Sequence, residues 1–371
     1  MKHSFLKQLI CPISKEKLKL FSFVEKGGET KEGILVAKKS RYVYPIINYV
    51  PIMLDFKSNL ANDFFQTNQK KIKGLSNLVL PNNQPRSGEK YVQTQFSKQW
   101  VDHGSFKKLQ YGYIDAELRL QIKVQLGLKK EWFKNKLILN VGCGKGREAM
   151  MIADHSQTKV TAVDLNFSML ELKDKILEFK QVDFVVASLF NLPFKKESFD
   201  YIFSHGVIHH TYSTKKALFA IIPFLKEKAF LYIWVYGIRG NGQLYYGLNA
   251  LITQHILRPF VSRLPTFWQS LVLLPIVMLA YLGAWIRFLN RYFSGLVSHP
   301  SLIRRPDFYD IFLQIRDSHA VFYSHWQSMP EVIMWLKEAK MKHITPLEVE
   351  KIPAYLRQAW LYNVGLRSQR S

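Results

Sequence analysis

One run constrains this chain more than any other: Leu137-Ile138-Leu139-Asn140-Val141-Gly142-Cys143-Gly144-Lys145-Gly146-Arg147. A buried-type strand (residues 136–141) leads into three alternate glycines, and a helical stretch (147–154) follows. Glycine is required where backbone must approach a ligand with no Cβ in the way. The spacing is G-x-G-x-G. A dinucleotide fingerprint, G-x-G-x-x-G, would need glycine where Arg147 stands.

The strand–helix alternation continues beyond the loop. Residues 159–163 read as a second strand and 168–180 as a helix. Residues 182–186 and 201–204 give a third and a fourth strand, then a helix through 218–225 and a fifth strand at 230–235. Strands spaced by helices predict a parallel sheet wrapped on both faces. Asp164 closes the second strand, about where an acidic residue meets ribose hydroxyls in nucleotide-binding βαβ units. Its other reading is a helix N-cap.

Around this core (131–237) the chain divides into further units. Residues 1–56 read as a small β-rich domain, with strands at 18–24 and 34–37 about a Gly27-Gly28 turn and an apolar stretch at 42–54. Residues 57–130 are polar and basic, a linker and helical cap carrying Tyr91, Phe96, Trp100, Tyr111 and Tyr113. Residues 238–305 form an apolar insertion, and 306–371 supply a helix near 329–340 and two strands, 344–349 and 360–366.

Loop, Asp164, Leu192-Pro193-Phe194, Ser198-Phe199-Asp200 and Ser204-His205-Gly206-Val207-Ile208-His209-His210 together resemble a class I S-adenosylmethionine-dependent methyltransferase, of the group similar to the ubiquinone/menaquinone-biosynthesis enzymes. The resemblance implies an α/β fold: a Rossmann-like seven-stranded methyltransferase sheet, here with a small N-terminal β-rich domain and an apolar helical insertion. It implies S-adenosyl-L-methionine as cofactor. Gly142, Gly144 and Gly146 would line its methionine part, Asp164 would hold the ribose diol, and Leu189 would offer backbone to the adenine edge; Ser204, ending the fourth strand, belongs to the same set. The chain departs from the family at three places. Asn140 and Ser188 stand where acidic residues are usual, which drops negative charge near a cationic sulfonium. Lys226-Glu227-Lys228-Ala229 stands where a glycine pair commonly precedes the fifth strand.

Methyl transfer is an in-line displacement, so the protein mainly aligns two reactants and sometimes removes a proton. His209 or His210, at the carboxyl edge of the sheet, is the candidate base because imidazole titrates near neutral pH. The alternative is that the pair packs and hydrogen-bonds the following turn. Tyr236, His319 and His325 are secondary candidates. Cytosine-C5 methylation needs a cysteine nucleophile, and neither Cys11 nor Cys143 fits. No Asn/Asp-Pro-Pro-aromatic tetrapeptide follows the fourth strand, and no H-E-x-x-H spacing suggests a metal.

The N-terminal unit is similar to the zinc-ribbon-like domains found beside methyltransferases, where two cysteine pairs are common. Here Cys11 stands alone, with Ser14, Ala37 and Ser40 at the other ligand positions, and one thiolate cannot hold a tetrahedral zinc. The fold is expected without the metal, as an activating or substrate-presenting module or as a packing appendage.

Residues 264–286 carry no charge and are long enough to span a bilayer core. Pro275 interrupts them, and a single crossing would separate the last two strands from the first five. Helices that cover the cofactor cleft or lie in a membrane interface are expected instead, flanked by Arg258, Arg263, Arg287, Arg291, Arg304 and Arg305 with Trp268, Tyr281 and Trp285. The net charge of +24, from 52 basic and 28 acidic residues, favours an anionic partner. The expected acceptor is a small, lipid-linked or glycan molecule, and the expected surface an anionic membrane. RNA is the alternative acceptor, although no aromatic-rich RNA-binding pattern marks the N-terminal unit, and a non-catalytic scaffold is a further alternative. Lys7 and Gln8 interrupt the apolar residues near the N-terminus, so no secretory signal is read and a cytoplasmic location is expected, at the inner face of a membrane where one is bound.

Overall fold

The structure, a computed structural model, describes residues 1–102, 113–238, 253–285, 307–354, 357 and 363–371. Its strands build two sheets. The smaller is antiparallel, in the order β1 (Leu18–Lys26), β2 (Glu29–Ala37), β3 (Val43–Ile47), β4 (Val50–Pro51). Gly27 and Gly28, both at positive φ, make the tight turn from β1 to β2.

The larger sheet contains β5 (Leu137–Val141), β6 (Lys159–Asp164), β7 (Val182–Val186), β8 (Phe199–His205), β9 (Leu225–Val235), β10 (Met341–Pro346) and β11 (Val364–Arg370). Their order is β10-β11-β9-β8-β5-β6-β7, with β5 to β9 parallel and β11 antiparallel to both neighbours. This is the expected seven-stranded Rossmann-like methyltransferase sheet. β5 pairs with β6 on one side and β8 on the other, so the strand order reverses at β5 and opens a crevice at the carboxyl ends.

Several boundaries differ from the sequence reading, each for a local reason. β9 begins at Leu225 because the ladder pairs Phe199 with Leu225 and then Tyr201 with Phe230. The intervening Lys226-Glu227-Lys228-Ala229 is a bulge, and Lys228 takes the positive φ of 57° that glycine would adopt without strain. The helix after β8 runs Thr214–Ile221, earlier than expected, because the Ser213 hydroxyl caps it by accepting from Lys216 N at 3.3 Å and Pro223 follows. The 168–180 helix is a 3₁₀ segment, Ser168–Glu178, broken at Lys173. β10 starts three residues before the expected strand, and β11 runs to Arg370; residues 360–362 of the expected last strand, like Tyr111, lie outside the described residues.

The N-terminal sheet is fused to the core. Ile52 bridges Val186 on the edge strand β7, Met53 N donates to Val186 O at 2.7 Å, and Ile10 N donates to Pro193 O at 2.9 Å. These bonds cover an otherwise open edge. Leu9, Tyr44 and Met53 share one apolar core with Leu139, Val163 and Phe194. Around Cys11 the cross-links are hydrogen bonds. Its buried sulfur lies 3.2 Å from Tyr44 Oη and accepts from Ser14 N, while Ser40 Oγ donates to Ser14 Oγ at 2.9 Å.

The insertion is partly visible. The helix Thr266–Trp285 packs Leu273, Val277 and Ala280 against Ile311, Ile315 and Ala320 of the segment that includes the helix Phe308–His319. Its other face leaves Phe267 70% and Trp285 64% exposed, with Trp268, Leu271, Leu279 and Leu282 beside them. Arg258, expected at lipid head groups, is buried instead: its guanidinium donates to Ser324 O at 2.8 Å and to Ser318 O. Arg287, Arg291, Arg304 and Arg305 lie outside the described residues.

The shared core generates an expectation. Met53→Ala removes a side chain with no solvent exposure and should lower stability by about 2–5 kcal/mol. Chemical denaturation followed by both near-UV and far-UV signals should still give one coincident transition. Two separated transitions would show that the N-terminal sheet folds on its own.

Candidate functional site

The crevice beside β5 holds a cavity of about 220 Å³. The helix Glu89–Asp102 forms one wall with Glu89, Val92, Gln93, Phe96 and Trp100, spaced three or four apart and therefore on one helical face. The glycine loop and Asp164 also line it, with Trp100 over Gly144, and so do Tyr236 and Asp317.

Loop geometry comes from backbone demands. Gly142, Gly144 and Gly146 all have positive φ. A Cβ on Gly142 would stand 2.1 Å from Val207 Cγ2, and one on Gly146 2.4 Å from Phe184 Cε1. Those two glycines are thus demanded by the protein's own packing, and Gly146 does not line the cavity. Gly144 is different: a Cβ there meets only the Trp100 ring, at an ordinary 3.5 Å, so its bare Cα faces the space beneath that indole. Asp164 ties the loop down. Its Oδ2 accepts Gly144 N–H at 2.7 Å, and its Oδ1 accepts from Asn166 N at 2.9 Å and Asn166 Nδ2 at 2.6 Å. Burial pushes this carboxyl above its ordinary pKa, opposed by those same N–H donors.

The remaining expected cofactor residues separate into two groups. Leu189 lines the cavity. Asn140 and Ser204 are fully buried under it, and Asn140 Oδ1 and Ser204 Oγ have no partner among the described residues. Ser188 is buried too, but its hydroxyl donates to the Glu89 carboxylate, whose other oxygen accepts from Arg86 N at 2.9 Å. A carboxyl group from the helical cap therefore stands beside position 188. Burial raises the Glu89 pKa. Sequence reasoning missed Glu89, along with Asp317 and the pair His205 Nδ1–Glu148 Oε1 at 2.6 Å. The only signal for Glu89 was the periodic stripe 89, 93, 96, 100 on one helix, which says nothing of what it faces.

The histidines gather but play different parts. His210 lines the cavity, its Nδ1 donating to Tyr323 O at 2.8 Å and its Nε2 lying 3.9 Å from Asp317 Oδ2. His209 is fully buried between the His210 and Tyr236 rings, each centroid 4.1 Å away, and does not reach the cavity. Tyr236 lines the cavity and donates to Asp317 Oδ2 at 2.6 Å. His319 and His325 stand outside it, bonded to Ile315 O at 2.8 Å and Thr211 O at 2.9 Å.

Burial lowers the pKa of His209, His210, His319 and His325, that of His319 to about 4. The folded chain then binds fewer protons than the unfolded one below the ordinary histidine value of 6.5. Their contribution to stability is complete above that pH and is lost as pH falls toward about 4. Urea midpoints should accordingly drop between about pH 7.5 and about pH 5, and His319→Phe should make the drop shallower. An unchanged slope in that variant would contradict the assignment.

Residues 139–233 match the family described as "Methyltransferase domain". Phosphoethanolamine N-methyltransferase 2 of Caenorhabditis elegans is 31% identical over 109 residues, covering 29% of this chain and 25% of that protein. O-methyltransferase rstn1 of Aspergillus nomiae is 28% identical over 106 residues, covering 28% of this chain and 47% of that protein. The matched stretches thus span less than half the length of either relative. Among solved structures, 1,6-didemethyltoxoflavin-N1-methyltransferase of Burkholderia thailandensis overlays with a TM-score of 0.43 at 15% identity, over 79% of this chain and 93% of that one. PKMT2 of Rickettsia typhi gives 0.44 at 13% identity, over 72% and 55%. Residues 139–233 thus match a methyltransferase domain, and they lie within a sheet of the Rossmann-like methyltransferase strand order.

Proposed function

We propose that the chain is an S-adenosylmethionine-dependent methyltransferase acting on a small molecule, with an apolar, lipid-linked or glycan acceptor. The observation that carries this reading is the placement of Asp164 and Gly144 on one cavity wall, at the end of β6 and in the first glycine turn. The residues present suit the cofactor. Gly144 offers bare backbone for its methionine part, the Asp164 carboxylate has acceptor capacity for the ribose hydroxyls, and Leu189 with Ser188–Glu89 borders the adenine side. When bound, the cofactor supplies a methyl group on a positively charged sulfur. Asp164, Glu89, Glu148 and Asp317 border the cavity and offset that charge, which answers the loss of acids at positions 140 and 188. His210, neutral through burial and with Nδ1 bonded to a carbonyl, presents Nε2 as the lone pair able to take a proton from the acceptor.

Calorimetry with S-adenosylhomocysteine tests the reading. Binding should be measurable in the micromolar range, and Asp164→Asn should weaken it by about tenfold or more. No binding at millimolar ligand would leave a non-catalytic scaffold with the same fold.

An anionic membrane surface is the partner we favour for the exposed face of Thr266–Trp285. That face sets Phe267 and Trp268 at one end and Trp285 at the other, with leucines between, on a chain of net charge +24. Flotation with phosphatidylglycerol vesicles should capture the protein, phosphatidylcholine vesicles should capture less, and Leu279→Glu should reduce capture. Salt-sensitive co-purification of RNA with no flotation would favour the nucleic-acid alternative instead.

A further inference from the structure

We propose that the end of the cavity bounded by Asp317 and His210 is an amine subsite, in which the Asp317 carboxylate and His210 Nε2 each accept an N–H from one ammonium head on the acceptor. The inference deepens the methyltransferase reading, and rests on it for the role of the molecule so bound.

Three features of this corner point to an amine. First, the tautomer of His210 follows from its partner. A backbone carbonyl only accepts, so the 2.8 Å contact with Tyr323 O puts the proton on Nδ1 and leaves Nε2 as a lone pair. Second, that lone pair faces another acceptor. Asp317 Oδ2 lies 3.9 Å from Nε2, beyond hydrogen-bond length, so nothing directly joins the two. The carboxylate is held in place by other donors, Tyr236 Oη at 2.6 Å on Oδ2 and Gln99 Nε2 at 3.3 Å on Oδ1. Two acceptors side by side at a cavity wall call for a ligand with at least two donors on one atom. A hydroxyl has one; a primary or secondary ammonium has two or three. Third, the neighbouring walls are aromatic. Phe96 lies 5.2 Å from the His210 ring and Trp234 5.6 Å from Tyr236, and ring faces attract cations. Two buried guanidiniums stand nearby, both outside the cavity wall: Arg258 donates to the Ser318 and Ser324 carbonyls and attracts Asp317 through space, and Arg316 lies beside Asp317 on the same helix.

The arrangement also balances as proton chemistry. One ammonium N–H bond breaks, its proton forms a bond to Nε2, and the imidazole becomes imidazolium. The nitrogen keeps the electron pair and remains tethered to Asp317 through a second N–H.

The test uses hexylamine and hexan-1-ol as probes on the full chain, with and without saturating S-adenosylhomocysteine, read by calorimetry and by histidine NMR shifts. Hexylamine should bind about tenfold more tightly than hexan-1-ol at neutral pH and should move the His210 ring resonances. Asp317→Asn should abolish the preference, whereas Tyr236→Phe, which keeps the carboxylate but removes one of its two donors, should reduce it without abolishing it. Equal affinity for the two probes in the unsubstituted protein overturns the proposal whether or not Asp317→Asn folds, as does a preference that survives in that variant. Failure of S-adenosylhomocysteine to bind while the amine preference persists would instead remove the methyltransferase reading and leave an amine site.

Discussion

A buried carboxylate must be satisfied, and the donors that satisfy Asp164 are the backbone of the loop it faces and the residue two positions on. Gly144 N–H at 2.7 Å and the two Asn166 donors fix the end of β6 and the glycine turn as one unit. Since Gly142 N and Cys143 N both donate to Val163 O, the loop cannot shift without breaking the strand end it sits on. The rest of the site inherits its position from this junction: Trp100 lies over Gly144, Val207 against Gly142, and Phe184 behind Gly146. Glycine is required at 142 and 146 to let side chains in, and at 144 to leave backbone bare.

The walls around that junction come from distant parts of the chain. The helix Glu89–Asp102 contributes Glu89 to Ser188 and Gln99 to Asp317, so one helix bonds residues at two places around the cavity. The helix Phe308–His319 contributes Gln314 and Asp317 from one face and packs Ile311 and Ile315 against Thr266–Trp285 with the other. The apolar insertion is in this way coupled to the far wall of the site through one intervening layer. The exposed apolar face of Thr266–Trp285 and the cavity then lie on the two sides of this intervening layer.

Charge is redistributed in the same manner. Ser188, just past β7, bonds an acid that arrives from the cap, and Glu148, paired with His205, lines the same cavity. Low dielectric magnifies the electrostatic effect of each carboxylate that tertiary contacts bring to the cavity.

The sequence by itself determined the sheet and its loop. Alternating apolar strands and helices, a glycine turn after β5 and an acid closing β6 leave few ways to arrange the chain, because strand periodicity and right-handed crossovers are local rules. Boundaries slipped where local rules meet long-range ones: β9 starts early because a bulge at Lys228 keeps its ladder with Phe199, a pairing no single segment encodes. The two adjacent histidines looked equivalent in the sequence, and only packing separated them, enclosing His209 between rings and turning His210 to the cavity. Glu89 and Asp317 were likewise ordinary helix residues until tertiary contacts set them against Ser188, Tyr236 and His210. Local patterns fix which elements form, but partners 81 and 99 positions apart, such as Tyr236–Asp317 and Glu89–Ser188, meet only when burial of the shared core brings the elements together.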